Sequence, residues 1–124
     1  MSRGREHGQA AVELALSLPL VVLLLLAAVQ TGLVVRDQIL VVHASREAAR
    51  AAVVTPDPSA ARRAATGSSG LAQRRLAVEQ GPRGAPGSAL RVAVRYVSPT
   101  EVPLVGSFLP DVVLRATTTM RVEV

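Results

Sequence analysis

The chain contains no cysteine, no tryptophan and no lysine. Without cysteine there is no disulfide, no thiolate metal site and no cysteine nucleophile. Aromatic residues make up 2% of the 124 residues and are Tyr96 and Phe108 alone. Stacking of successive bases on aromatic rings, the common way to hold single-stranded nucleic acid, is therefore excluded. The histidines are His7 and His43, and His43 has no second histidine or cysteine near it in sequence, so a metal site there is not expected. The patterns G-x-S-x-G, H-E-x-x-H, G-x-G-x-x-G and a Walker-type phosphate loop are all missing. The carboxylates are scattered, with no close pair placed for acid–base work. These absences point away from an enzyme and call for no cofactor and no metal.

What the chain does have is arginine and aliphatic residues. All 14 basic residues are arginine, and the formal net charge is +5. They are spread along the whole length rather than gathered in one run, so no nucleic-acid partner is expected. Hydrophobic residues make up 49%, and mean hydropathy is +0.35. That average is high for a small soluble domain, so the apolar residues must be concentrated somewhere. From Leu14 to Val35 there is no charged residue. About 22 residues at about 1.5 Å each give about 33 Å of helix, the hydrocarbon thickness of a bilayer. A protein of this size has no core wide enough to surround a helix that is apolar on every side.

A cleaved secretory signal is the main rival. The run is longer than such a signal's apolar region, and Leu26-Ala27-Ala28-Val29 fits its small-x-small site poorly. Arg3 and Arg5 precede the run, while Arg36, Arg46 and Arg50 follow it. Charge therefore orients the span weakly, and the shortness of the leading tail favours an N-terminus in the cytoplasm. Pro19 lacks an N–H and is expected to bend or locally open the helix. Glu13 opens the run, either as an interfacial carboxylate near a helix N-terminus or as a buried acid that needs a partner.

The junction reads Gly8-Gln9-Ala10-Ala11-Val12-Glu13-Leu14, a glycine ending a short basic leader with a glutamate five residues on. This resembles the class III signal of type IV pilins, and most closely that of the TadE-like pseudopilins of Tad (Flp) pilus systems. Arg5, Gly8, Val12, Glu13, Leu16, Pro19 and Leu20 follow the family's pattern RGxxxVEfaLvlPlll. Leu14 departs from it, since the family usually has Phe or Tyr there. Farther on, the stretch from His43 to Ala52, with Ala44, Arg46, Glu47, Ala48, Arg50 and Ala51, looks like the family's AaREgARaA segment after the membrane. The resemblance covers residues 4–54.

The resemblance implies a minor pilin or pseudopilin that serves assembly, initiation or surface adhesion of a Tad-type pilus. It implies cleavage by a prepilin peptidase between Gly8 and Gln9, and Gly8, lacking a Cβ, would let the peptidase approach the backbone closely. It implies that Glu13 docks on the N-terminal amine of a neighbouring subunit. A carboxylate in an apolar bundle is costly alone and tolerable when paired, so such a pair can set subunit register. The implied partners are the membrane, the peptidase, other pilins or pseudopilins and the assembly platform. The implied location is the bacterial cytoplasmic membrane, single-pass, with an extracytoplasmic C-terminal head that could also reach the pilus or the cell exterior.

Beyond the apolar run, residues 36–54 hold no proline or glycine and are rich in alanine, the strongest helix former. A helix from about Val12 to Val54, about 60 Å long, is expected. Arg36, His43, Glu47 and Arg50 fall near one face, with Glu47 and Arg50 spaced to pair. Ala44, Ala48, Ala51 and Ala52 make a small-residue face for close packing. Thr55-Pro56-Asp57-Pro58 stops the helix, and Asp57-Pro58 reads as an N-cap and first helical position of a short helix to about Ala65. Gly67-Ser68-Ser69-Gly70 reads as a turn or linker.

Three strands should follow. They are Arg75 to Gln80, then Leu90 to Val97, then Val112 to Val124; the last two alternate apolar and polar residues as a sheet with one buried face does. The loops Gly81 to Ser88 and Ser98 to Asp111 separate them. The expected fold is α+β: a long N-terminal transmembrane helix continuing into a pilin-like head with a small antiparallel β-sheet. The expected division is a leader at 1–8, a transmembrane helix at 9–35, a helix extension at 36–54 and a head at 55–124. A single-pass anchor presenting an extracytoplasmic binding head, and a small secreted protein, are the competing functions.

Overall fold

The computed structural model describes residues 3–123. Helix α1 runs unbroken over Arg3–Val54, 52 residues. It starts well before Val12, because the leader has no proline and each residue added to an existing helix gains a backbone hydrogen bond. The helix is continuous through Pro19. It ends where Thr55 N donates to Ala51 O at 2.9 Å and Pro56 cannot extend the ladder.

The chain forms two compact units. The first joins α1 up to Gly32 with the loop Thr100–Pro110. In this unit most apolar side chains of α1 are exposed, Leu14, Leu16, Leu18, Leu20, Leu23 and Leu25 among them. The loop is tied internally. Gly106 N donates to Val102 O at 2.9 Å, Val105 N to Pro103 O at 2.8 Å, and the N–H groups of Phe108 and Leu109 both reach Val105 O at 3.1 Å. Thr100 Oγ1 closes the base by donating to Pro110 O at 3.1 Å. A Cβ on Gly106 would lie 2.6 Å from Thr100 O, so the loop closes only over a glycine.

The second unit holds α1 from Leu33, the segment to Pro99, and the chain from Asp111. Its sheet is an antiparallel meander of β1 (Leu76–Gln80), β2 (Ala89–Ser98) and β3 (Val112–Arg121) in the order β1-β2-β3. The register sets Leu76 opposite Tyr96 and Tyr96 opposite Leu114, with Val78, Val94 and Ala116 aligned the same way. One face therefore carries Leu76, Val78, Leu90, Val92, Val94, Tyr96, Leu114 and Ala116, the alternation expected from sequence. β1 is shorter than expected because Gln73–Arg75 form a turn of 3₁₀ helix, and β3 ends at Arg121 rather than at the chain end. Val124 lies outside the described residues.

The C-terminal stretch of α1 covers this face. Val41, Ala44, Ala48, Ala49, Ala52 and Val53 share one core with Leu90, Val92, Val94 and Tyr96. Small side chains let the helix backbone approach the sheet closely. Polar ties flank the core: Ser45 Oγ and Thr118 Oγ1 lie 2.8 Å apart, and Ser98 Oγ donates to Asp37 Oδ2 at 2.7 Å. At the C-terminal end of α1 the Arg83 guanidinium donates to Ala52 O, and to Val53 O at 3.3 Å and Thr55 O at 3.4 Å. A cation there satisfies orphan carbonyls at the negative end of the helix dipole.

Helix α2 spans Pro58–Ser69, longer than the sequence suggests. Gly67, Ser68 and Ser69 are helical and not a linker. Ser69 Oγ donates to Ala65 O at 2.6 Å and accepts from Leu71 N at 3.3 Å. Gly70 alone stands outside, at φ 69°, the left-handed position that closes a helix and favours glycine. At the other end Asp57 caps the helix, accepting from Ser59 N at 2.9 Å and from Arg63 at 2.7 Å. The Arg63 hydrogen bond first, then those of Ser59, hold the Asp57 carboxyl down to about 2 from its usual 3.8. A depressed carboxyl stabilises the fold above its unfolded value and loses that contribution as pH falls through the folded one. The cap should therefore be intact above about pH 4 and weaken between there and pH 2. NMR amide shifts of Ser59 and Ala60 should move in that window, and Asp57→Asn should abolish the movement.

Candidate functional site

The features that point to function lie on the first turns of α1. Gly8 is helical and exposed, and a Cβ there would meet nothing within 4 Å. The fold has no steric need for glycine at this position, where it costs about 1 kcal/mol relative to alanine. Gly4 and Gly32 are equally open, so space alone does not single out Gly8; its offset from Glu13 does. Gln9 and Glu13 stand one turn apart on the same face, and Gln9 Nε2 donates to Glu13 Oε1 at 3.3 Å. Both residues are exposed. Glu13 forms no ion pair with a described residue. Its carboxylate is thus exposed, with one oxygen accepting from Gln9.

The other polar groups of the apolar run are satisfied locally. Ser17 Oγ donates to Glu13 O at 2.8 Å and Thr31 Oγ1 to Ala27 O at 2.9 Å. Such back-bonding lets a hydroxyl sit in an apolar medium. Pro19, with no N–H, leaves Ala15 O without its helical donor. Gln30 is the exception among the side chains: it is 5% exposed, and neither amide atom has a hydrogen-bond partner among the described residues. Nothing in the sequence marks Gln30 as covered while its neighbours are bare.

The stretch from His43 to Ala52 divides between two roles. Ala44 and Ala48 are fully buried under the sheet, while Arg46 and Arg50 are exposed. Glu47 and Ala51 are half-buried. The packing face therefore runs through Ala44, Ser45, Ala48, Ala49 and Ala52, and Ala51 lies at its margin. Glu47 and Arg50 form no ion pair with a described residue. His43 is exposed. Among the described residues no group of histidine and carboxylate side chains is placed to hold a metal ion.

The free face of the sheet gathers charge that spacing along the chain hides. Arg95 stands directly opposite Arg115, and Arg91 is diagonal to Arg121. Like charges directly opposed across a sheet destabilise it. None of the four forms an ion pair with a described residue. Thr117 and Thr119 lie between them, and no aromatic side chain shares the face.

α1 is long and apolar enough to cross a membrane, and the most apolar window of it is not covered by any described part of the chain. Residues 8–50 match the family model of TadE-like proteins. The match takes in the Gly8–Glu13 junction, the whole apolar run and the stretch through Arg50, and none of the sheet. Neither a curated protein nor a solved structure matches the chain.

Proposed function

We propose, from a chain whose residues 8–50 are TadE-like, that this protein is a pilin-like subunit of a Tad-type pilus system. It is held in the cytoplasmic membrane by α1 with its N-terminus inside and its sheet outside. A prepilin peptidase cuts between Gly8 and Gln9, and the new amine and Glu13 then pair between neighbouring subunits. The observation that carries this reading is Glu13: an exposed carboxylate at the head of a bare apolar helix, with no cation from the described residues of its own chain. In a bundle of such helices a lone carboxylate is costly, and a neighbour's amine removes the cost. The small-residue face is already used by the sheet, so the surface left for partner helices is the apolar run before it.

Gly8→Val tests the first step. The larger side chain has room in the helix, so the fold of the uncut protein is unaffected and only recognition changes. Full-length protein should accumulate in the membrane fraction, still carrying residues 1–8 or lacking Met1 only. The same mature N-terminus in mutant and wild type would contradict cleavage at this bond.

A further inference from the structure

We infer that the loop Val102–Pro110 is a second membrane contact, its outward side chains Leu104, Phe108 and Leu109 lying in the lipid interface beside the outer end of α1's apolar run. The inference rests on the reading of α1 as a membrane span. From Val102 to Pro110 there is no charge; Glu101 and Asp111 bracket the stretch. Val102 and Val105 turn inward and are buried, whereas Phe108 is 83% exposed and Leu104 and Leu109 are each more than half exposed. A soluble loop would gain nothing by presenting its three largest apolar side chains to water. Leu104 also holds φ at 68°, where glycine would be unstrained. The chain keeps a large apolar side chain at a position that resists one.

The loop can meet lipid without exposing a frayed backbone. The N–H groups of Val105, Gly106, Phe108 and Leu109 are bonded within it, and Pro103 and Pro110 have none to satisfy. Its depth follows from the unit it belongs to. The loop and α1 up to Gly32 form one compact unit. Within that part of the helix, with which the loop groups, the residues that lose exposure are Leu26 and Gln30, one turn apart on one face. Gln30 precedes Val35, the end of the uncharged run, by five residues, or about 8 Å of helix. That is within the depth of about 5–10 Å to which interfacial apolar side chains reach past the headgroup boundary. The exposed apolar surface of the loop then continues the lipid-facing surface of the helix, and lipid rather than a protein groove is its occupant.

The absence of tryptophan makes the test direct. Full-length protein carrying Phe108→Trp is reconstituted in phosphatidylcholine–phosphatidylglycerol vesicles containing lipids brominated either near the headgroup or near the bilayer centre. The expected result is blue-shifted emission that loses most of its intensity to the shallow bromines and less to the deep ones. Leu109→Trp should behave the same way. Water-like emission, or emission that neither bromine position quenches, would overturn the proposal. Leu24→Trp, within the span, separates the two readings. Quenching of Leu24→Trp by the deep bromines without any quenching at position 108 defeats the loop contact alone, whereas no quenching at either site defeats the span and the loop together.

Discussion

Protein carrying Glu13→Ala is expected to insert and to be processed as the wild type does, and to lose nearly all crosslinking to partner subunits. Glu13 lies at the edge of the apolar run, and its carboxylate takes the 3.3 Å hydrogen bond from Gln9 within its own chain. Nothing in the fold depends on it, so the chain's stability should be unchanged. Insertion should be as good or better, since a carboxylate is removed from the rim of the apolar run. Gly8, at the proposed cleavage site, is unchanged. If Glu13 docks as proposed, assembly is where the loss appears, because a neighbour's amine would be left buried without its partner. Breaking such a pair costs roughly 3–5 kcal/mol, more than a hundredfold in an association constant. Glu13→Gln keeps a hydrogen-bond acceptor without the charge and should fall between the two. If instead Glu13 is a solvated helix-start residue, the processed alanine variant will crosslink with wild-type yield.

The second large effect concerns the head. Expressed alone, Thr55–Val124 should aggregate or remain partly unfolded. The face formed by Leu90, Val92, Val94 and Tyr96 shares its core with Val41, Ala44, Ala48, Ala49, Ala52 and Val53 of α1, and the fragment lacks all six. Burying a valine or larger aliphatic side chain contributes about 1.5–3 kcal/mol, and total stabilities are only about 5–15 kcal/mol. The fragment also loses the carbonyls of Ala52 and Val53 that Arg83 binds, leaving that guanidinium without its acceptors on α1. Circular dichroism melting and gel filtration of the fragment read the outcome. A monomer with a cooperative transition would mean that the sheet is covered by something other than α1.

How far the sequence can be read depends on whether the signal is local. The uncharged run from Leu14 to Val35 and the alanine-rich stretch after it each announce a helix from their own residues. The alternation in β2 and β3 likewise states which side faces inward before any partner is known. Ends are harder. Gly67 looks like a helix stop, yet the helix passes through it, because Gly70 occupies the left-handed closing position and Ser69 bonds back to Ala65. Counting from Ala44 puts Ala51 on the packing face, whereas the real face is centred nearer Ala49.

Features made by chain segments far apart in sequence are not legible at all. Arg83 sits in a glycine- and proline-rich loop, and nothing local says that it caps a helix whose last carbonyls lie 30 residues earlier. The four sheet arginines are scattered along the chain and become one surface only when the register is fixed. The candidate site shows the reverse case. Gly8, Gln9 and Glu13 are close in sequence and on one helix, so their arrangement can be read from spacing alone. The structure adds that Glu13 faces outward with no cation from the described residues of its own chain.

The most direct test of the account is the N-terminus of the mature protein, read by mass spectrometry on material extracted from the native membrane. Cleavage at the Gly8–Gln9 bond predicts a chain that begins at Gln9, keeps the whole apolar run and carries Glu13 as its fifth residue. A chain that retains the leader would make the protein an ordinary single-pass anchor, and one that begins near residue 30 would make it a secreted protein; either result would contradict the pilin-like reading.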